Sequence, residues 1–215
     1  MTFPGYTDEA LNFLENLKSN NSRDWFAANK LVYEKQVRDP TKILAAELAD
    51  RLEELTEDAQ KSKIFRIHRD LRFSKDKTPY NTHVHISLAP QSGNAPAFML
   101  GWSHNYLTLG CGVFEFQKDV LANYRTFAAS GSGEKLQVIL DKLIADGVRI
   151  DEPVLKRVPS GFDPNHPRVG LLRRKGIAVW QDLDDPKIAT QPRLVDKVLA
   201  GFETFLPLYK LIRTL

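Results

Sequence analysis

The hydrophobic repeat of this chain changes period once, near residue 58, and that change restricts the fold more than any other feature. Before it, Leu11, Leu14 and Leu17 recur at helical spacing behind Thr7 and the first-turn acids Asp8 and Glu9, so residues 8–18 read as an amphipathic helix. Ser22 caps a second helix that opens Arg23-Asp24-Trp25-Phe26 and runs toward Val37, with Trp25 and Phe26 as core anchors. Asp39-Pro40 reads as a third start, Asp at the cap and Pro at the first helical position, continuing through Leu44, Leu48, Leu52 and Leu55.

Beyond residue 60 the alternation is two-fold. Phe65, Ile67, Leu71 and Phe73 share a face with Arg69, while Arg66, His68, Asp70 and Arg72 share the other with Ile64, which predicts a strand over 64–73 with one highly charged face. Residues 74–82 contain Pro79 and no apolar run, so they read as a loop, longer than hairpin connections usually are. His83-Val84-His85-Ile86-Ser87-Leu88 alternates again and places the histidines opposite the aliphatic residues. Further strands are expected near 97–103, 105–116, 154–158 and 176–181, and helices near 119–129, 134–146 and 192–213. Strands following strands predict an α+β fold: a mostly antiparallel central sheet, an N-terminal helical segment over 1–57, and flanking C-terminal helices, in one domain over 1–215.

Charge follows the same division. The total is +3 over 215 residues, but residues 1–60 carry 7 Lys/Arg against 12 Asp/Glu. Residues 61–83 carry 7 against 2, and residues 149–175 carry 7 against 3. An acidic helical third and two basic segments suggest internal neutralisation or an anionic ligand. The single cysteine, Cys111, excludes an intramolecular disulfide and a thiolate zinc cage. It reads as a buried structural thiol between Gly110 and Gly112. No run of 18 apolar residues is present, and with no leader pattern at the start a cytoplasmic protein without membrane contact is expected.

Residues 21–30 (NSRDWFAANK), the central FRIHRDLRFSKDKTPYNT over 65–82, and KRVPSGF over 156–162 with His166-Pro167 and Leu171-Leu172 resemble the bacterial family known as domain of unknown function 2461. That resemblance implies motif positions, Arg66, Arg69, Asp70, Arg72, Phe73, Ser74, Asp76, Lys77, Pro79 and Tyr80 among them, and carries no activity, substrate or catalytic residue.

The central motif is the strongest chemical signal. Like charges at i and i+2 on a strand lie about 7 Å apart and repel by roughly 0.6 kcal/mol in water, or about 2.4 at an effective dielectric of 20. The cluster therefore calls for an anion, either the chain's own acids, with Asp24, Glu34 and Asp39 as candidates, or a ligand. Guanidinium forks suit phosphate and carboxylate.

The leading expectation is a cleft along 65–85 for a small phosphate- or carboxylate-bearing ligand, bound by Arg66, Arg69, Asp70, Arg72 and Lys77, with Lys156 and Arg157 from the second basic loop. Were it an enzyme, it would be a hydrolase or transferase acting on that anion, with Asp76, Lys77, Tyr80 and His85 as candidate catalytic groups. The first alternative is an internal ion-pair network in a protein with no catalysis. The second is nucleic-acid binding, against which stands the expectation that Phe65 and Phe73 face the core and leave Tyr80 alone to stack. His83 and His85, with His68 or Asp70 nearby, have metal-ligand spacing, but strong cations surround them, so neither metal nor cofactor is expected.

Overall fold

The computed structural model describes residues 2–91 and 96–215. Elements run in the order α1 (Asp8–Ser19), α2 (Arg23–Val32), α3 (Asp39–Thr56), β1 (Gln60–Ile64), β2 (Val84–Pro90), β3 (Ala97–Trp102) and β4 (Leu107–Val113). Then follow α4 (Lys118–Ala129), α5 (Ser132–Ala145), β5 (Arg149–Ile150), α6 (Val169–Leu172), β6 (Ile177–Leu183) and α7 (Leu194–Ile212). The strands form one antiparallel sheet ordered β1-β2-β3-β4-β6-β5, and the fold is α+β. By its internal contacts the chain divides into two compact units: one holds the residues up to Gln91, Met99–Leu109 and Asp182–Ala200, the other Gly110–Gln181, Gly201–Leu215 and the segment ending at Phe98.

In the first unit the caps behave as the sequence predicts. The Thr7 hydroxyl accepts from the Ala10 N–H and the Ser22 hydroxyl from the Trp25 N–H. Asp39 does not: α2 passes into α3 through a π-helical stretch, Tyr33–Arg38, with Arg38 in the capping position and no break. Pro40 lacks an N–H and presses on the carbonyl of Gln36 in an ordinary helix, so the wider turn just before it absorbs the proline without ending the helix. Asp39 instead pairs with Arg38 and Lys42, each at 2.9 Å. Leu44, Leu48 and Leu52 of α3 and Ile86 of β2 are fully buried. Tyr6 stacks on Trp102 at 4.0 Å and shares a 2.7 Å hydrogen bond with the Thr41 hydroxyl.

The strand expected over 64–73 is not there. β1 ends at Ile64, and beyond it the chain makes an isolated bridge, His68 opposite Tyr80, flanked by hydrogen bonds from the Arg69 N–H to the Pro79 carbonyl and from the Asn81 N–H to the Ile67 carbonyl. Pro79 has no N–H to carry a ladder further. The two-fold pattern here is one of charges, not of packing. Ile67 is buried, whereas Phe65 is 48% and Phe73 95% exposed, the reverse of the core placement expected for both.

In the second unit, Phe98 packs against Tyr209 and Phe202 at 4.9 and 5.0 Å, and Phe116 against Tyr124 at 4.9 Å. Cys111 is buried and free. Its neighbour Gly112 has φ +141°, and a Cβ there would lie 2.0 Å from the Ile177 carbonyl oxygen, so β4 and β6 meet where only glycine fits. No strand forms over 154–158; the short partner of β6 is β5, with Arg149 opposite Trp180 and Ile150 opposite Val179.

Candidate functional site

Three adjoining clefts surround the motif in the first unit, and His83 lines all of them. One, of about 200 Å³, runs from Tyr33, Val37 and Arg38 of the π-helical stretch to Ile64, Phe65 and Arg66. The second, about 360 Å³, lies among Phe65, Arg66, His68, Arg69, Asp70, Asn81, His83 and His85. The third, about 350 Å³, is bounded by Lys18, Asn21, Arg69, Asp76 and Thr78.

The motif arginines have different surroundings. Arg69 donates to Asp76 at 2.5 Å, to the carbonyl and hydroxyl of Thr78, and to the Ser74 hydroxyl at 3.3 Å, drawing residues 74–78 around one guanidinium. The Asp76 carboxylate also accepts from the Thr78 N–H at 2.9 Å; that bond, then Arg69, holds its pKa below the usual range. Arg72 grips Asp70 at 2.7 to 3.2 Å through its side chain and its own N–H, and these bonds, with the more distant charge of Arg66, depress Asp70. Arg66 is exposed, lines two of the clefts, and among the described residues has no acidic side chain within 4 Å. The helical acids do not supply one: Glu34 and Asp39 both pair with Arg38, at 2.6 and 2.9 Å.

Of the other candidates, Lys77 donates to the Leu71 carbonyl at 3.0 Å. Tyr80 is buried, stacked on Phe26 at 4.1 Å. His85 lines the cleft beside Arg66, its ring stacked on His83 at 3.9 Å and its Nε2 hydrogen-bonded to the Tyr106 hydroxyl at 2.9 Å. Burial, and secondarily His83, push His85 down to about 4, and burial raises Tyr106 to about 12, so both are neutral near pH 7. Gly101 on β3 makes room for that imidazole, since a Cβ there would lie 3.2 Å from its ring. Lys156 and Arg157 are exposed in the second unit, on its 151–168 loop.

Two positions escaped the sequence reading. Tyr106 lies 21 residues from His85 and nothing local connects them. Asn21 donates through Nδ2 to the Tyr80 carbonyl at 2.9 Å and accepts from the Tyr80 N–H through Oδ1 at 3.0 Å, as a neighbouring strand would. It clamps the loop to the end of α1, and the one signal for it is its place at the head of the 21–30 segment that accompanies the central motif. Among the described residues, no helix is long and apolar enough to cross a membrane.

No curated protein matches the chain. The family profile described as conserved hypothetical protein (DUF2461) matches residues 9–211, taking in the helical segment, the arginine motif and the second basic loop, and the chain belongs to that family.

Proposed function

We propose that this protein binds a small phosphate- or carboxylate-bearing ligand in the clefts around His83, with Arg66 as the guanidinium that receives the anion. The observation that supports this reading is the contrast within the motif. Asp76 matches Arg69 and Asp70 matches Arg72, whereas Arg66 opens onto two clefts with no acid at contact distance among the described residues. Neutral His83 and His85 beside it add no competing charge, and a neutral imidazole can donate its N–H to a bound oxyanion. A planar fork at the mouth of a partly apolar cleft is suited to bidentate contact with a phosphate or carboxylate.

The internal-network reading accounts for Arg69 and Arg72, which tie the loop together, and leaves Arg66 without a role. Were there a reaction, His85 is the candidate base with an unprotonated nitrogen at the cleft near pH 7, and Asp76 is committed to Arg69 and Thr78.

The reading is tested by thermal unfolding with increasing inorganic phosphate and phosphate-bearing metabolites. The expected result is saturable stabilisation that Arg66→Ala abolishes. Equal stabilisation of the wild type and Arg66→Ala would overturn it.

A further inference from the structure

The exposed ring of Phe65 belongs to the cleft that Arg66 lines, and an aromatic face left open beside an anion-binding guanidinium points to the other half of the ligand. Phe65 lines both clefts that contain Arg66, carries the Lys63 ammonium 4.9 Å from its ring centroid, and meets His85 edge-on at 6.4 Å. Around it, Tyr33, Val37, Ile64, Ile67 and Val84 form an apolar wall, while Arg38, Lys42 and Arg66 supply the cationic margin. Arg38 and Lys42 are tied to Glu34 and Asp39, so the charge open to a ligand is at the Arg66 end. A volume of about 200 Å³ is below the range for drug-sized ligands and suits a single ring system.

We propose that the ligand is a planar aromatic or heteroaromatic ring carrying an anionic group, the chemistry of a nucleoside monophosphate, with its ring on Phe65 and its anion on Arg66. This rests on the anion-binding reading above and extends it to the ligand's uncharged part. Phe65 is the specificity-determining residue. Its backbone N–H is held by the His85 carbonyl at 2.9 Å whatever the side chain, so truncation removes the ring face and leaves the segment anchored.

Calorimetric titration of the full chain with inorganic phosphate, ribose 5-phosphate, adenosine and adenosine monophosphate separates the two halves. The expected result is that the nucleotide binds about tenfold tighter than ribose 5-phosphate, in keeping with one base stacked on one aromatic ring. Phe65→Ala should remove that gain while leaving ribose 5-phosphate unchanged, Phe65→Trp should retain it, and Arg66→Ala should weaken both phosphate esters. Equal binding of nucleotide and ribose 5-phosphate would overturn the ring subsite and leave the anion site standing. Binding of adenosine that Phe65→Ala abolishes, with no gain from its phosphate, would overturn the anion site and with it the combined ligand. Absence of binding by every probe would overturn both. A ten-nucleotide single strand that binds with steep salt dependence where the mononucleotide does not would overturn the small ligand in favour of a nucleic-acid track over exposed Phe65 and Phe73.

Discussion

The two basic loops carry similar excess charge and dispose of it in different ways. In the motif of the first unit, arginines are matched by carboxylates two and seven residues away, Arg72 by Asp70 and Arg69 by Asp76, and Arg66 is left facing a cleft. In the second unit three arginines of the basic loop go to main-chain carbonyls. Arg168 donates to the carbonyls of Ala128, Ala129 and Ser130 at 2.7 to 3.1 Å, Arg173 to that of Leu155 at 2.6 Å, and Arg174 to that of Asp151. His166 joins them, accepting from the Arg168 N–H at Nδ1 and so donating from Nε2 to the Ala129 carbonyl. The Ala128 and Ala129 carbonyls lie in the last turn of α4, where a cation also meets the negative end of the helix dipole. A basic segment is therefore no sign of a ligand until its donors are traced: three arginines of the second loop cap a helix and brace the loop, and in the first Arg66 faces two clefts with no acid within 4 Å among the described residues.

The comparison breaks most visibly at Arg168. Arg168→Ala strips a charged donor from three carbonyls, leaving Ala129 to His166 and Ser130 to the Gly133 N–H, and hydrogen bonds from a charged donor at a half-buried site give an expected loss of about 3 kcal/mol. For a chain of this size that is a fall in Tm of roughly 6–12 °C by calorimetry. Arg168→Lys should recover about a third, because a point donor replaces a fork. An unchanged Tm would mean that the cap is dispensable and that the second loop's charge is free for another purpose.

Asn21→Ala comes next. It removes the donor and the acceptor that serve the Tyr80 peptide, with an expected cost of about 2 kcal/mol in denaturant unfolding. Asn21→Asp, which keeps the acceptor and loses the donor, should fall between. No loss in either would show that the Arg69 network holds the motif loop unaided.

The pH dependence sharpens the same contrast. Because His85 titrates near 4 when folded and near 6.5 when unfolded, its neutral form contributes stability that is present above 6.5 and lost as pH falls toward 4. Asp70 and Asp76 are depressed carboxylates, so their contribution is present above about 4 and lost only below it. The window from pH 7 to 5 thus belongs to the stacked histidines beside Tyr106 and Phe65. Discounted for partial exposure, the wild type should lose about 1 kcal/mol across that window through His85, and His85→Gln should flatten the slope. An unchanged slope in His85→Gln would place the imidazole in water and weaken its standing as a neutral group at the cleft.

The helical third was legible because its pattern comes from apolar residues. Leu44, Leu48 and Leu52 must be buried whatever else happens, and the Thr7 and Ser22 caps are local. Strand β2 was legible for the same reason, with Val84, Ile86 and Leu88 buried in alternation. The stretch over 64–73 misled because its alternation is carried by arginines and aspartates, which report where charge sits and not which face packs. Pro79 then denied the bridge at His68 a ladder to extend. Asp39-Pro40 misled because a helix can also widen just ahead of a proline instead of starting at it. At the site, the arginine cluster was visible as a composition, but its division into matched and unmatched members depends on which carboxylate a turn brings within reach, and His85–Tyr106 depends on strand pairing.

The smallest expected effect on stability is the most telling one. Arg66 is exposed and forms no ion pair within 4 Å among the described residues, so Arg66→Ala should move the unfolding free energy by no more than about 0.5 kcal/mol, as an ordinary surface substitution does. Arg69→Ala should lower Tm measurably, because it releases Asp76, Thr78 and Ser74 together. Run side by side in the presence of phosphate, the two variants should differ in opposite senses: Arg69→Ala less stable yet still stabilised by the anion, Arg66→Ala as stable as the wild type yet indifferent to it. A structural arginine and a ligand-binding one within the same motif cannot be separated by charge or by sequence distance. On the proposed reading these measurements separate them, because a cation matched by the fold is missed by the fold when removed, whereas an unmatched one is missed only by what it binds.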